Sequence, residues 1–199
     1  MIKIIKSTYD SPLIRVFTTI QDQLLSGINC CIAGGSVLKQ YCSLPIGSSD
    51  IDIWFKSEAD FLEAIDRFVI YDRLATTKNG MTYLLTPKTS CFSSNIKIQL
   101  LKTQYYDDVF TFLDSFDLTI CQLGFIDGDI YITEQAEHDI KHRILRKGND
   151  KVLKPFRFLK YLNLGYTPTI ETYDDFFIND KKTLEIGDYE ITAAGDLYD

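Results

Sequence analysis

Between Ser49 and Phe55 the sequence alternates strictly, with Ile51, Ile53 and Phe55 on one side and Asp50, Asp52 and Trp54 on the other. Strand side chains point to opposite faces with a period of two. The segment therefore predicts a strand with one apolar face and two carboxylates side by side on the other. Upstream, Cys30 to Ala33 is a short apolar run that predicts a second strand. Gly34-Gly35-Ser36 breaks it, and Val37 to Tyr41 predicts a short helix. Thirteen residues separate Ser36 from Asp50, and Pro45 to Ser49 has the composition of a loop.

The rest of the chain supplies the layers such a strand needs. Leu13, Val16, Phe17, Ile20 and Leu24 recur at helical spacing over residues 10–26, and Gly27 ends the run. Ser57-Glu58-Ala59-Asp60 predicts an N-cap with acids in the first turn of a helix reaching about Phe68. Asn79-Gly80 and Asp127-Gly128 each sit between strand-like segments and predict hairpins. Ile96 to Leu101 predicts a strand, Asp107 to Ser115 a helix, and Leu118 to Phe125 a strand. From about Glu134 the pattern is helical. The expected fold is α/β (α+β): a mixed sheet of four to six strands with flanking helices and a small C-terminal helical segment. Residues 1–133 would form the main unit and 134–199 a helical appendage, basic and then acidic.

A length of 199 residues suits one domain with such an appendage. The net charge of -7 argues against coating nucleic acid through bulk charge, but leaves room for a local basic groove. That charge is unevenly spread. Lys141, Arg143, Arg146, Lys147, Lys151, Lys154, Arg157 and Lys160 stand against Asp150 alone, whereas the tail after Pro168 is acidic. The basic stretch reads either as solvated helices or as a phosphate-facing strip. Tyr161 and Tyr166 beside it read as core residues or as a base-stacking pair. No run of 18 apolar residues predicts a membrane span, and the Met1 to Lys6 start turns polar too soon for a signal peptide. The five cysteines are odd in number and lack CxxC spacing, which predicts reduced, mostly buried thiols in a cytoplasmic protein and disfavours zinc. His138 and His142 lie four apart without a recognisable third ligand.

The chemistry lies in the joint order of strand, Gly-Gly-Ser, short helix, loop and Asp-Ile-Asp strand. Gly-Gly-Ser alone is usually a turn, and Asp-x-Asp alone is usually a solvated strand face. Together they make a working set. Glycine lets backbone approach a phosphate without a Cβ in the way, and the following helix start offers N–H groups to it. Paired aspartates bind hard cations such as Mg²⁺ or Mn²⁺ through oxygen. Two such ions about 3.5–4 Å apart stabilise the attacking and leaving oxygens of an in-line displacement.

At Ala33-Gly34-Gly35-Ser36 and Ser49-Asp50-Ile51-Asp52-Ile53 the sequence resembles the DNA polymerase β-type nucleotidyltransferase superfamily. The likeness extends towards the head of the tRNA nucleotidyltransferase and bacterial poly(A) polymerase family over roughly residues 28–166. Phe116 to Cys121 resembles that family's Arg-Arg-Asp segment, Phe125 to Ile132 its hairpin, and Glu137 to Arg146 the helix after it. Pro155 to Tyr161 with Gly165-Tyr166 resembles its Pro-x-Arg-x-x-Arg helix. The resemblance implies metal at Asp50 and Asp52 and triphosphate at Gly34, Gly35 and Ser36. It also implies Asp117 near the nucleotide sugar, and Arg157 and Lys160 on the triphosphate or base. Three departures stand out: Ser115-Phe116 replaces the paired arginines, Cys121 replaces an asparagine, and Gln99 occupies the place expected for a third carboxylate. The chain also lacks the length of the helical body that measures tRNA in that family.

The expected function is transfer of a nucleoside monophosphate from an NTP to a hydroxyl acceptor: an RNA 3′ end (tRNA-like), a protein side chain or a small molecule. The alternatives are a nucleotide-binding, antitoxin-like regulatory module without turnover, and an interaction protein that keeps the fold.

Overall fold

The computed structural model describes residues 2–6, 12–44, 50–149 and 153–185. The 45–49 loop expectation falls outside them. The chain opens with β1 (Ile2–Lys6) and α1 (Pro12–Thr19), whose last turn widens over Ile20–Leu24. Then come β2 (Cys30–Ala33), α2 (Gly35–Tyr41), β3 (Ile51–Phe55) and α3 (Glu58–Phe68). The hairpin β4 (Asp72–Thr77) and β5 (Gly80–Leu85) leads to β6 (Ile96–Leu101) and α4 (Val109–Asp114). A tight turn at Thr119–Cys121 precedes β7 (Leu123–Ile126) and β8 (Asp129–Thr133). The remainder is α5 (Glu134–Lys141), β9 (Ile144–Leu145), α6 (Pro155–Asn163), β10 (Thr167–Pro168) and α7 (Ile170–Glu185).

The main sheet is mixed, as expected, but has eight strands rather than four to six, in the order β1-β8-β7-β2-β3-β6-β5-β4. Among the described residues, only β3 and β6 pair in parallel within it. The first strand was not expected, because Ile2 to Lys6 is short and Ile4 faces solvent; it adds to the edge beside β8. The Leu118–Phe125 run is not one strand. Residues 119–121 make a tight turn, held by the Thr119 N–H to the Arg146 carbonyl at 3.0 Å and the Thr119 hydroxyl to Asp139 Oδ2 at 2.7 Å. The C-terminal region is not wholly helical either: β9 and β10 form a two-residue parallel pair.

The expected alternation of β3 sorts its side chains between two cores. Ile51, Ile53 and Phe55 join the large core, with Phe17 and Ile20 from the first helix and Phe61 and Phe68 from α3. Ser57 caps α3 by accepting from the Asp60 N–H at 3.1 Å. The opposite face holds a smaller core of Cys31, Ala33, Tyr106, Phe112 and Leu113, against which Trp54 and Phe116 pack. Asp108 caps α4, accepting from the Thr111 N–H at 2.9 Å. On this second face the Asp50–Asp52 end of β3 opens onto a cleft.

Candidate functional site

The cleft has a volume of about 210 Å³. Its first wall is the turn from β2 into α2. Gly34 has φ +86°, a conformation that glycine adopts without strain. Its N–H donates to the Leu123 carbonyl at 3.2 Å, which ties the turn to β7. A Cβ there would stand 3.4 Å from the Phe116 ring and 3.9 Å from Asp52 Oδ2. Those are ordinary contact distances, so it is the backbone conformation rather than the space that calls for glycine there. Ser36 is buried, and its Oγ has no hydrogen-bond partner among the described residues.

The floor is β3 with its parallel neighbour β6. Asp50, Asp52 and Trp54 line it from one strand, and Gln99, directly beside Asp52 in register, from the other. The Gln99 amide reaches Thr82 Oγ1 at 3.5 Å. Burial, and then the neighbouring Asp50, push the Asp52 carboxyl up to about 7, against the pull of Arg157 and Lys160. Trp54 packs edge-on against Phe112 and Phe116, with centroids 5.3 and 5.7 Å away.

The second wall is α6, which starts at Pro155 and presents Phe156, Arg157, Lys160 and Tyr161. Arg157 Nη2 bonds Asp117 Oδ1 at 2.9 Å and approaches Cys121 Sγ at 3.5 Å. Cys121 Sγ lies 3.0 Å from the Tyr161 hydroxyl, and burial pushes its thiol up. Asp117 is not among the cleft-lining residues; it stands behind Arg157 and holds the guanidinium.

Gly34, Gly35, Ser36, Asp50, Asp52, Arg157 and Lys160 therefore meet in one cleft, with Asp117 one contact behind. The basic stretch splits in its surroundings. Arg146 pairs with buried Asp139 at 3.0 Å and Lys147 with Asp175 at 3.0 Å, whereas Arg157 and Lys160 face the cleft. Tyr161 and Tyr166 are buried and pack edge-on at 6.1 Å, which is the core reading, although the Tyr161 hydroxyl also reaches the cleft beside Gly35. His138 bonds Asp139 Oδ1 at 3.1 Å, and His142 Nδ1 lies 2.8 Å from the His138 carbonyl. Cys30, Cys31 and Cys121 are buried, as their apolar runs predicted. The sequence reading missed Phe156 as a cleft residue, and it met Phe116 only as a missing arginine. An exposed Phe at the second position of a Pro-led helix was the signal for the former.

Residues 8–143, well over half of the chain, match the family described as Gabija anti-defense 2 family protein. The chain belongs to that family. No curated protein matches it. Among solved structures, this Gabija anti-defense 2 family member is similar to a CCA-adding enzyme in complex with CTP, with a TM-score of 0.61 and 17% identity over 87% of this chain and 43% of that one. The Bacillus stearothermophilus CCA-adding enzyme with CTP gives 0.61 and 18% over 88% and 46%. The Thermotoga maritima CCA-adding enzyme complexed with tRNA gives 0.57 and 16% over 85% and 42%. At such identities the likeness establishes a nucleotidyltransferase-like fold. The chain spans less than half the length of these enzymes. Among the described residues no helix is long and apolar enough to cross a membrane.

Proposed function

We propose that the chain is a metal-dependent nucleotidyltransferase, moving a nucleoside monophosphate from an NTP to a hydroxyl acceptor. The observation that carries this reading is the convergence of Asp50 and Asp52 with the Gly34-Gly35-Ser36 turn on one wall and Arg157 and Lys160 on the other. The family description makes the Gabija defence the system it would act against. The CTP and tRNA held by the similar structures make an NTP donor and an RNA 3′ end reasonable substrates to try first.

The residues present fit a divalent cation. Two carboxylates share one partly buried floor, and the repulsion that helps raise Asp52 would be relieved by positive charge between them. Asp50 and Asp52 would hold Mg²⁺ or Mn²⁺; Gln99 offers an amide where a third carboxylate would strengthen the site. When bound, the metal supplies charge stabilisation at the reacting phosphate. The chain's own groups do the remaining work. Arg157, aimed by Asp117, and Lys160 neutralise the phosphate oxygens from the opposite wall. Ser36 carries a buried hydroxyl without a hydrogen-bond partner among the described residues, on the wall where a phosphate would lie. Trp54 and Phe116 give the floor an apolar side.

The test is label transfer and pyrophosphate release from each NTP with Mg²⁺ or Mn²⁺ and small RNAs. Asp50→Asn and Asp52→Asn should each lower turnover about 100-fold or more. Wild-type turnover that survives both changes would sink the proposal. Gln99 beside Asp52 favours a second reading, a nucleotide-binding module without turnover. Metal-dependent NTP binding with no pyrophosphate release would select it.

A further inference from the structure

Phe156 lines the cleft but has no part in handling metal or phosphate. Its side chain is 61% exposed, although it stands on a firmly fixed wall. Two residues on, Phe158 is buried and stacks on Phe176, with centroids 4.2 Å apart and planes 12° apart. Tyr161 is buried too, and its hydroxyl meets Cys121 Sγ at 3.0 Å. Residues two apart point to nearly opposite sides of a helix, so the packing that pins α6 turns Phe156 outward. A lone exposed apolar side chain carries no message by itself. The surroundings of this one do. Lys160 lies one turn along the same face of α6 and lines the same cleft. Lys154 Nζ lies 5.9 Å from the Phe156 ring centroid. Trp54 and Phe116, with centroids 5.7 Å apart, add further aromatic surface to the cleft. Exposed rings beside cations are the combination that holds unpaired nucleotides.

The ring is also placed where a base would fall. The Tyr161 hydroxyl stands 3.5 Å from where a Cβ on Gly35 would be, so Tyr161 marks the Gly-Gly-Ser end of the wall. Phe156 precedes it by five residues, about 7.5 Å along the helix axis. A nucleotide separates its base from its distal phosphates on that scale. The cleft has the room as well: one water takes roughly 10–15 Å³ of such space, and the cleft has about 210 Å³. Two polar side chains that line it are already engaged, the Gln99 amide with Thr82 Oγ1 at 3.5 Å and Arg157 with Asp117 at 2.9 Å. Ring surface is therefore what the outer cleft offers a base.

We propose that Phe156 is the stacking platform for the base of the NTP, and that the cleft holds that base by its ring face instead of reading its hydrogen-bonding edge. This deepens the nucleotide-transfer reading and rests on it for the identity of the occupant. Every base has a face to stack, so the donor preference should be weak and should follow stacking strength.

The experiment measures affinities of the full chain for ATP, CTP, inosine triphosphate and inorganic tripolyphosphate, each with Mg²⁺ and without acceptor. The proteins compared are the wild type, Phe156→Ala and Phe156→Tyr. Loss of the ring should weaken ATP and CTP roughly tenfold and leave tripolyphosphate within about twofold, whereas Phe156→Tyr should stay near the wild type. Inosine triphosphate, which changes the edge and keeps the face, should bind the wild type within about threefold of ATP. ATP and CTP losses below about threefold in Phe156→Ala would overturn the proposal. So would an equal loss of tripolyphosphate, which would make Phe156 a support of the wall, or a larger gap between ATP and inosine triphosphate, which would show that the edge is read. A wild type that binds tripolyphosphate as tightly as ATP would overturn it as well. Pyrophosphate release in the presence of RNA judges the transferase reading separately: stacking without release leaves Phe156 its role and removes turnover. Thermal melts check folding, and Phe156→Leu, which keeps apolar bulk without the ring face, replaces Phe156→Ala if that variant does not fold.

Discussion

Asp52 carries an electrostatic tension that its chemistry would exploit. Its carboxyl is raised to about 7 by burial and by Asp50, whereas in the unfolded chain it titrates near 3.8. Between those values the folded state holds a proton that the unfolded state has released, so the metal-free chain loses stability as pH rises from about 4 to 7, and the loss levels off above. Each pKa unit corresponds to roughly 1.4 kcal/mol, and the open cleft discounts the total to about 1–2 kcal/mol. Asp52→Asn should therefore stabilise the chelator-treated protein, little at pH 4.5 and most at pH 8. Paired thermal melts across that range check it, and a pH-independent difference would contradict the account. Asp117 makes a different case. It grips Arg157 at 2.9 Å without lining the cleft, so Asp117→Asn should raise the KM for NTP about tenfold while kcat falls less. A selective collapse of kcat would instead put Asp117 on the reacting groups. The carboxylates and glycines were legible because their spacing is local. The Arg157–Asp117 pair was not, because forty residues separate partners that only the fold brings together.

At the scale of elements, the sequence revealed those whose side chains alternate against a clear solvent face. It concealed those defined by their neighbours. The hairpin at Asn79-Gly80 and the capped helix at Ser57 fall where local turn and cap chemistry put them. The tight turn at Thr119–Cys121 was hidden because an apolar run has the same composition whether it is a strand or a buried turn; what bends it is Asp139, twenty residues away. The contact of β2 with β7 shows how closely the site's strands are fitted. A Cβ on Gly124 would lie 2.7 Å from Cys31 Sγ, with Leu113 Cδ2 at 3.4 Å and the Ile32 carbonyl at 3.5 Å. Gly124→Ala should cost about 1–3 kcal/mol through overpacking. Most of that cost should disappear in Cys31→Ala/Gly124→Ala, although Cys31→Ala alone opens a small cavity. Denaturant melts of the four proteins make a double-mutant cycle, and additive losses would show that the strain lies elsewhere.

For the whole molecule, the question is whether the region after Thr133 is an appendage or part of one folded body. Ile140, Leu145, Leu153, Phe158 and Phe176 belong to the same buried cluster as Phe17, Ile32 and Ile53. At about 1.5–3 kcal/mol each, their burial amounts to roughly 8–15 kcal/mol before the entropy of ordering the segment is set against it. That is as large as the whole net stability of a typical domain, about 5–15 kcal/mol. The region also carries Arg157 and Lys160, the cations that line the cleft among the described residues, so without it the cleft loses its cationic wall. We therefore propose that residues 1–133 and 134–185 differ in role but not in folding. The chain should unfold in one cooperative transition, reported alike by the signals of Trp54 and of backbone helicity. A fragment ending at residue 133 should fail to give a dispersed amide spectrum or to bind NTP. Addition of NTP with Mg²⁺ should stabilise the full chain by mass action, by about 2.7 kcal/mol at a ligand concentration 100 times Kd, and so raise its midpoint. Two separate transitions, or a fragment that folds and binds, would instead make the nucleotidyltransferase-like unit self-sufficient and the α6 cations an addition to it.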